Sequence, residues 1–272
     1  MVEPSDAHEL SPIKRALLEL RDLRVRLEET ERRQHEPVAI IGMGLRFPGG
    51  ADEAGSFWKL LQDGVDAIKE VPADRWDASG LFYPDPDLPG KMSTRFGGFL
   101  EKIYDFDPHF FGISPREAET MDPQQRLLLE IVWEALENAA VSPEKLFGTQ
   151  TGIFVGISNG DYYRQLLADP MAIDAYTTTS NAYSVAGGRL SYTLGLHGPN
   201  IAVDTACSSS LTAVHLAVQS LRRGECNLAL AGGVNLILSP EISINFSRAH
   251  ILSTDGRCKT FDAAADGYGR GE

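Results

Sequence analysis

Three cysteines in 272 residues are too few, and too unevenly placed, for a disulfide framework or a zinc site. No metal centre is therefore expected from Cys207, Cys226 and Cys258. Apolar runs stay short of the roughly 18 residues that a membrane-crossing helix needs, so no membrane partner is expected. Basic residues are in deficit as well: 25 Lys and Arg stand against 38 Asp and Glu, for a formal charge of −13. Phosphate binding wants a basic face, and this balance argues against a nucleic-acid partner. The opening "MVEPSDAHEL" has neither the basic nor the apolar region of a secretion signal. No fixed-period repeat and no low-complexity tract interrupts the chain. What remains is an acidic chain, 43% hydrophobic, with material for a substantial core and a cytoplasmic location as the expectation.

Residues 10–35, "LSPIKRALLELRDLRVRLEETERRQH", stand apart from the rest. Ile13, Leu20 and Leu27 recur every seventh residue, and Ala16, Leu23 and Thr30 follow each by three. Charges fill the other positions, as in a coiled-coil seam. A single solvated helix is the alternative. Ser11 is placed to cap it, and Pro12 to take the first helical position. Two to three heptads are marginal alone, so association through this helix would need help from the rest of the chain. Pro37 disfavours helix in the residue before it, which divides residues 1–36 from residues 37–272.

Beyond Pro37 the pattern changes. "PVAIIGMG" (37–44), "TGIFVGI" (151–157), "NIAVDT" (200–205) and "NLALAGGVNLIL" (227–238) are continuous apolar runs, the mark of strands buried on both faces. Helical stretches lie between them. "SFWKLLQDG" starts at a capping Ser56, and "DPQQRLLLEIVWEALENAA" opens with Asp122 as cap and Pro123 behind it. "SNAYSVAGGRLSYTLGL" has the small residues that let two backbones approach. The alternation predicts an α/β fold with helices over the sheet. Residues 72–115, rich in Pro, Gly, Asp and aromatics, read as a long ordered excursion over the surface.

Three motifs compete as the functional centre. "GMGLRF" (42–47) lacks the third glycine of a dinucleotide fingerprint and reads as a turn. "GISNG" (156–160) matches the nucleophile-elbow pattern, sits between a strand and the helical "DYYRQLLAD", and makes Ser158 the nucleophile of a rival serine hydrolase. Its acid and histidine would have to lie downstream, where His197, His215 and His250 have no distinctive setting. The third is "VDTACSSSL" (203–211), in which Cys207 falls where a strand gives way to the amphipathic "SSSLTAVHLAVQSLRRG". Free N–H groups at a helix start favour a thiolate, which is the nucleophile, and can also receive an oxyanion. Ala206 and Ser208 to Ser210 are small and leave room for a substrate. From position alone, a buried structural cysteine is the commoner outcome.

"VDTACSSSL" resembles the nucleophile segment of β-ketoacyl synthases. The likeness extends to "EPVAIIGMGLRFPGGAD", "FWKLLQDGVDAI", "VPADRWD", "FGISPREAETMDPQQRLLLEIVWEALENA", "TGIFVGI", "GRLSYTLGLHGPNIAVDTACSSSLTAVHLA", "ALAGGVN" and "CKTFDAAADGYGRGE". In this order, from about Pro37 to Glu272, they resemble the ketosynthase domain of modular type I polyketide synthases, and the first 36 residues resemble the docking helix and linker that precede such domains. The resemblance implies a thiolase-like α-β-α-β-α layered fold, of which residues 37–272 are the N-terminal portion. It implies a homodimer with the strand near residues 200–204 at the two-fold. Cys207 would be the catalytic residue, taking an acyl chain from the phosphopantetheine arm of an acyl carrier protein. Decarboxylative Claisen condensation with a malonyl-type extender would follow. No cofactor is expected to bind directly. The implied partners are the carrier protein, a downstream acyltransferase and other synthase domains, and an upstream synthase subunit reached through the N-terminal helix. The family completes its site with two histidines and a lysine downstream of "GYGRGE", and none of the six histidines here matches them. The chain therefore reads as a fragment, incomplete for condensation.

Overall fold

The computed structural model describes residues 11–272. Helix α1 (Pro12–Gln34) begins as the sequence predicts, with the Ser11 hydroxyl accepting from the Lys14 N–H at 3.4 Å. Residues 1–10, part of the N-terminal unit, lie outside the described residues. The apolar positions of α1 face solvent throughout: Ile13, Leu20, Leu23 and Leu27 are all more than half exposed.

After α1 come α2 (Ala54–Gln62), the strand β1 (Ile68–Glu70) and the single-turn α3 (Ala78–Leu81). Strand β2 (Phe96–Gly98) pairs antiparallel with β1, placing Ile68 opposite Gly98. The excursion over residues 72–115 is thus ordered by a small sheet and by stacked rings, Phe106 on Phe111 at 5.5 Å among them. Helix α2 starts three residues earlier than predicted. Glu53 is its cap, and Ser56 occupies the third helical position of a capping box.

Helices α4 (Pro115–Thr120) and α5 (Pro123–Asn138) lead into the central strand, β3 (Thr151–Ile157), then α6 (Asp161–Leu167) and α7 (Tyr183–Leu194). Strand β4 (Asn200–Val203), α8 (Ser209–Arg223), β5 (Leu228–Val234) and α9 (Glu241–Arg248) complete the order. The main sheet runs β4-β3-β5, all parallel, with Phe154 opposite both Ile201 and Ala231. Every residue of β3 is buried, as its unbroken apolar run requires.

The period of two along β3 separates the two helical layers. Ile153, Val155 and Ile157 join Leu128, Leu129 and Leu136 of α5 and Ala186, Leu190 and Leu194 of α7 in one cluster. Phe154 joins Ala213 and Ala217 of α8, with Cys226, on the opposite face. Each such side chain taken from water contributes about 1.5–3 kcal/mol before chain entropy is counted. The described residues thus form one helix-sheet-helix set of layers. The small residues of α7 do what their size predicts: a Cβ on Gly187 would stand 2.3 Å from the Asn200 side-chain oxygen.

One expected strand is absent. Residues 37–44 have no ladder partner among the described residues, and Ile40, Ile41 and Met43 are exposed. The segment crosses α5 instead, where a Cβ on Gly42 or Gly44 would come within 2.3 Å of the Ala135 or Ile131 carbonyl oxygen. The Met43 N–H donates to the Asn138 side chain at 3.0 Å. An apolar run specifies extended backbone; a ladder also needs a neighbouring edge. The predicted strand over 227–238 likewise ends at Val234, and residues 235–238 lie outside the ladder.

Candidate active site

Cys207 does not sit in the first turn of α8, as the sequence pattern predicts. It lies in a separate 3-10 turn, Ala206–Ser208, between β4 and α8, with Ser208 as the cap of α8. Ala206 takes φ of +54°, a conformation that L residues avoid and that recurs at functional turns. Short polar side chains hold it there. The Asp204 carboxylate accepts from the Ala206 N–H at 3.0 Å, and the Ser209 hydroxyl donates to the Ala206 carbonyl at 2.7 Å while accepting from the Thr205 N–H at 2.9 Å. Ser208 donates to the Thr205 carbonyl at 2.9 Å. These bonds are made around Cys207 and leave its side chain exposed.

Two glycines bring this turn down onto the sheet. A Cβ on Gly156 of β3 would stand 2.7 Å from the backbone of Ser209 and Ser210, and one on Gly233 of β5 would stand 2.8 Å from the Ser210 side chain. The start of α8 is therefore seated where β3 and β5 both lack side chains. Close approach of two backbones is what glycine permits.

The other thiols differ. Cys226 is buried beside Phe154, with its Sγ 3.4 Å from the Ser220 hydroxyl. Cys258 is exposed and accepts from the Gly269 N–H at 3.4 Å. Nearby, burial raises the Tyr268 phenol above the ordinary value, against the opposing charge of Arg270.

The Ser158 loop follows β3 as Cys207 follows β4, but its polar groups serve packing. The Asn159 side chain donates to the Leu236 carbonyl at 2.5 Å and to the Asp161 carboxylate at 3.1 Å. Asp161 also accepts from the Leu238 and Ser239 N–H groups at 3.0 and 3.2 Å. The Gln124 side chain donates to the Asn159 carbonyl at 2.6 Å and to the Asp122 carboxylate at 3.1 Å. No hydrogen bond joins Ser158 to a histidine among the described residues, and His250 pairs with Asp87 at 3.2 Å instead. The acid of the loop is spent on backbone amides, and the hydrolase reading has no support. Nor does any group of described residues have the composition of a metal site.

The family described as beta-ketoacyl synthase, N-terminal domain, matches residues 35–272. The chain belongs to the β-ketoacyl synthase family. It is 56% identical over 237 residues to a phenolphthiocerol/phthiocerol polyketide synthase of Mycobacterium tuberculosis, covering 87% of this chain and 15% of that protein. It is also 56% identical over 238 residues to the polyketide synthase GfsB of Streptomyces halstedii, covering 87% of this chain and 4% of that protein. The chain thus spans only a small part of the length of these relatives. Among solved structures, the oxazolomycin ketosynthase domain of Streptomyces albus aligns with a TM-score of 0.80 and 42% identity, over 86% of this chain and 41% of that one. The ketosynthase from module 6 of the bacillaene synthase of Bacillus subtilis gives 0.76 and 38%, over 86% of this chain and 38% of that one. The fold is accordingly thiolase-like, and the sheet with its flanking helices is part of that layered arrangement.

Sequence reasoning singled out Cys207 but missed the residues that seat its turn on the sheet. Gly156 and Gly233 carried a signal, since a glycine inside an apolar strand marks close backbone approach.

Proposed function

We propose that this chain is the nucleophile-bearing portion of a ketosynthase of a type I polyketide synthase, an acyltransferase. The Cys207 thiolate attacks the thioester of an acyl chain carried on the phosphopantetheine arm of an acyl carrier protein. A new carbon–sulfur bond forms, and the carrier thiol leaves with the proton. In the complete domain, a malonyl-type extender on a carrier then loses CO₂, and its carbanion attacks the enzyme-bound thioester in a Claisen condensation. The observation that carries this reading is the exposed thiol of Cys207 in a strained turn between β4 and α8, in a chain so similar to polyketide synthases. The phosphopantetheine arm enters as part of the carrier, so the chain needs no cofactor of its own. Histidines for the condensation half have to come from elsewhere in the domain. His215 lies within α8, eight residues further along the chain than Cys207.

The test is acyl transfer from an acyl-pantetheine thioester, followed by intact mass and peptide mapping. The parent chain gains one acyl group at Cys207, and Cys207→Ala gains none while keeping its circular dichroism. An acyl group mapped to Ser158 would overturn the reading.

The same reading makes α1 a docking element, aligned in parallel with that of a second copy and facing an upstream synthase subunit. Its exposed row Ile13, Leu20 and Leu27 supports this, as does the position of β4 at one edge of the sheet, where a second copy can pair. Leu20→Lys places a charge in the seam and should lower the self-association constant of the chain in sedimentation equilibrium about tenfold or more. An unchanged constant would leave α1 a solvated helix. A downstream acyltransferase and further synthase domains complete the proposed partners, in the cytoplasm. No described helix is long and apolar enough to cross a membrane.

A further inference from the structure

A small cavity lies where the excursion over residues 72–115 meets α9 and the returning segment 268–272. Met92, Ile237 and Leu252, all nearly fully buried, belong to its apolar wall. Trp76, Thr94, Ser243, Tyr268 and Arg270 bring polar side chains to it, and no carboxylate lines it. It leaves about 10 Å³ for the centre of a water-sized sphere, which is room for one water molecule or one ion of that size.

The polar groups that lack partners here are donors. The Trp76 indole N–H is buried and meets no acceptor among the described residues. The Arg270 guanidinium donates to the Ser243 hydroxyl at 2.7 Å and lies 5.6 Å over the Phe246 ring. The two acids whose charge reaches it are committed elsewhere. Glu272 pairs with Arg75 at 3.3 Å and accepts from the Leu100 and Ile237 N–H groups. Asp161 pairs with Arg164 and accepts from the Leu238 and Ser239 N–H groups. Burial lowers the Arg270 guanidinium below its ordinary value, as expected of a cation without a close counter-charge. Of the hydroxyls, Ser243 already accepts from Arg270, and Thr94 accepts from the Phe96 N–H at 3.2 Å.

A guanidinium has five N–H donors and no acceptor, and an indole has one donor. A buried donor without an acceptor and a buried cation without an anion each cost free energy, and each calls for a partner. Water answers this badly, because it has two hydrogens of its own to place and the Ser243 and Thr94 oxygens are already accepting. A particle with one negative charge and no hydrogens satisfies the indole and the guanidinium together. Room for a single water-sized particle excludes phosphate, sulfate and carboxylates. We infer that this cavity binds one monatomic anion of the chloride class, held between the Trp76 N–H and the Arg270 guanidinium. The ion joins the excursion, α9 and the returning segment, whose Gly271 bridges Gly98. Anion binding here does not depend on acylation of Cys207.

Urea unfolding of the chain tests this, with chloride exchanged for fluoride at constant ionic strength and pH. Fluoride is the control because its tight hydration resists transfer to a largely apolar site. Chloride should lower the unfolding equilibrium constant by a factor that saturates, about tenfold at nine times its Kd. Trp76→Phe keeps a ring and removes the N–H, and should weaken chloride binding about tenfold or more, since a hydrogen bond to a charged group is lost. Arg270→Met should abolish the chloride response. Crystals of the parent chain grown in bromide should show an anomalous peak between Trp76 Nε1 and the Arg270 guanidinium, which decides the matter if either variant fails to fold. A chloride effect that rises without saturating, or that is unchanged in folded Trp76→Phe, would overturn the inference. So would a water in that position in the bromide crystals.

Discussion

Two turns leave the C-terminal ends of neighbouring parallel strands, one after β3 and one after β4, and each carries a hydroxyl or thiol. After β3, Asn159, Asp161 and Gln124 tie the Ser158 loop to the backbone of residues 236–239. After β4, the polar side chains turn inward on their own loop and hold Ala206 at positive φ, which leaves the Cys207 thiol open to solvent. The same local grammar of strand, turn and helix yields a tie in one place and a presented nucleophile in the other. The difference is where the neighbouring acid goes. Asp161 is 1% exposed and faces amide groups of a distant segment, whereas Asp204 accepts from its own turn.

The comparison breaks most severely at Gly156, which serves both turns. Gly156→Ala places a methyl 2.7 Å from the backbone of Ser209 and Ser210, atoms that cannot rotate away. It should destabilise the chain by about 3 kcal/mol and lower Cys207 labelling with it, as urea denaturation and alkylation would report. Unchanged stability would mean that the seating of α8 on the sheet is looser than the geometry requires.

A smaller effect separates the turns by pH. Burial raises Asp122, the cap of α5 and a partner of Gln124, to about 6. The folded state then holds this proton more tightly than the unfolded chain. The resulting stability is fully present below about pH 4 and is lost as pH rises through about 6. Unfolding free energy should therefore rise as pH drops from 7 to 5, by at most about 1.4 kcal/mol per pH unit from this group. Asp122→Asn, which keeps a capping side chain, should flatten that slope. Asp255 runs the other way. Its hydrogen bond from Lys259 lowers it to about 2, so its contribution is present above about pH 4 and fades as pH falls towards 2. An unaltered slope in Asp122→Asn would remove the titrating group from the Ser158 side.

The smallest effect is the sharpest discriminator. Ser158 is exposed and its hydroxyl has no assigned task, so Ser158→Ala should change stability by less than about 0.5 kcal/mol and leave Cys207 acylation unchanged. A large loss of acylation would restore the elbow reading of "GISNG".

Much of the fold was legible. Ser11 and Asp122 act through hydrogen bonds that span two or three residues, a range that sequence patterns capture. The apolar run of β3 specified burial on both faces, and its period of two divided the layers. The run at 37–44 was read by the same rule and failed, because pairing depends on an edge that the segment does not carry.

The sequence by itself determined the strand-to-helix setting of Cys207, the buried character of β3, the helix α1 and the family. These follow from short-range rules: caps, periodicity and the identity of residues within one turn of each other. Only the tertiary structure decided which elbow is open and that the cysteine occupies its own 3-10 turn. The first depends on contacts between residues tens to more than a hundred positions apart, the second on how three short polar side chains share one backbone. Chain neighbours do not encode such arrangements, because packing selects among partners that local sequence leaves equally available.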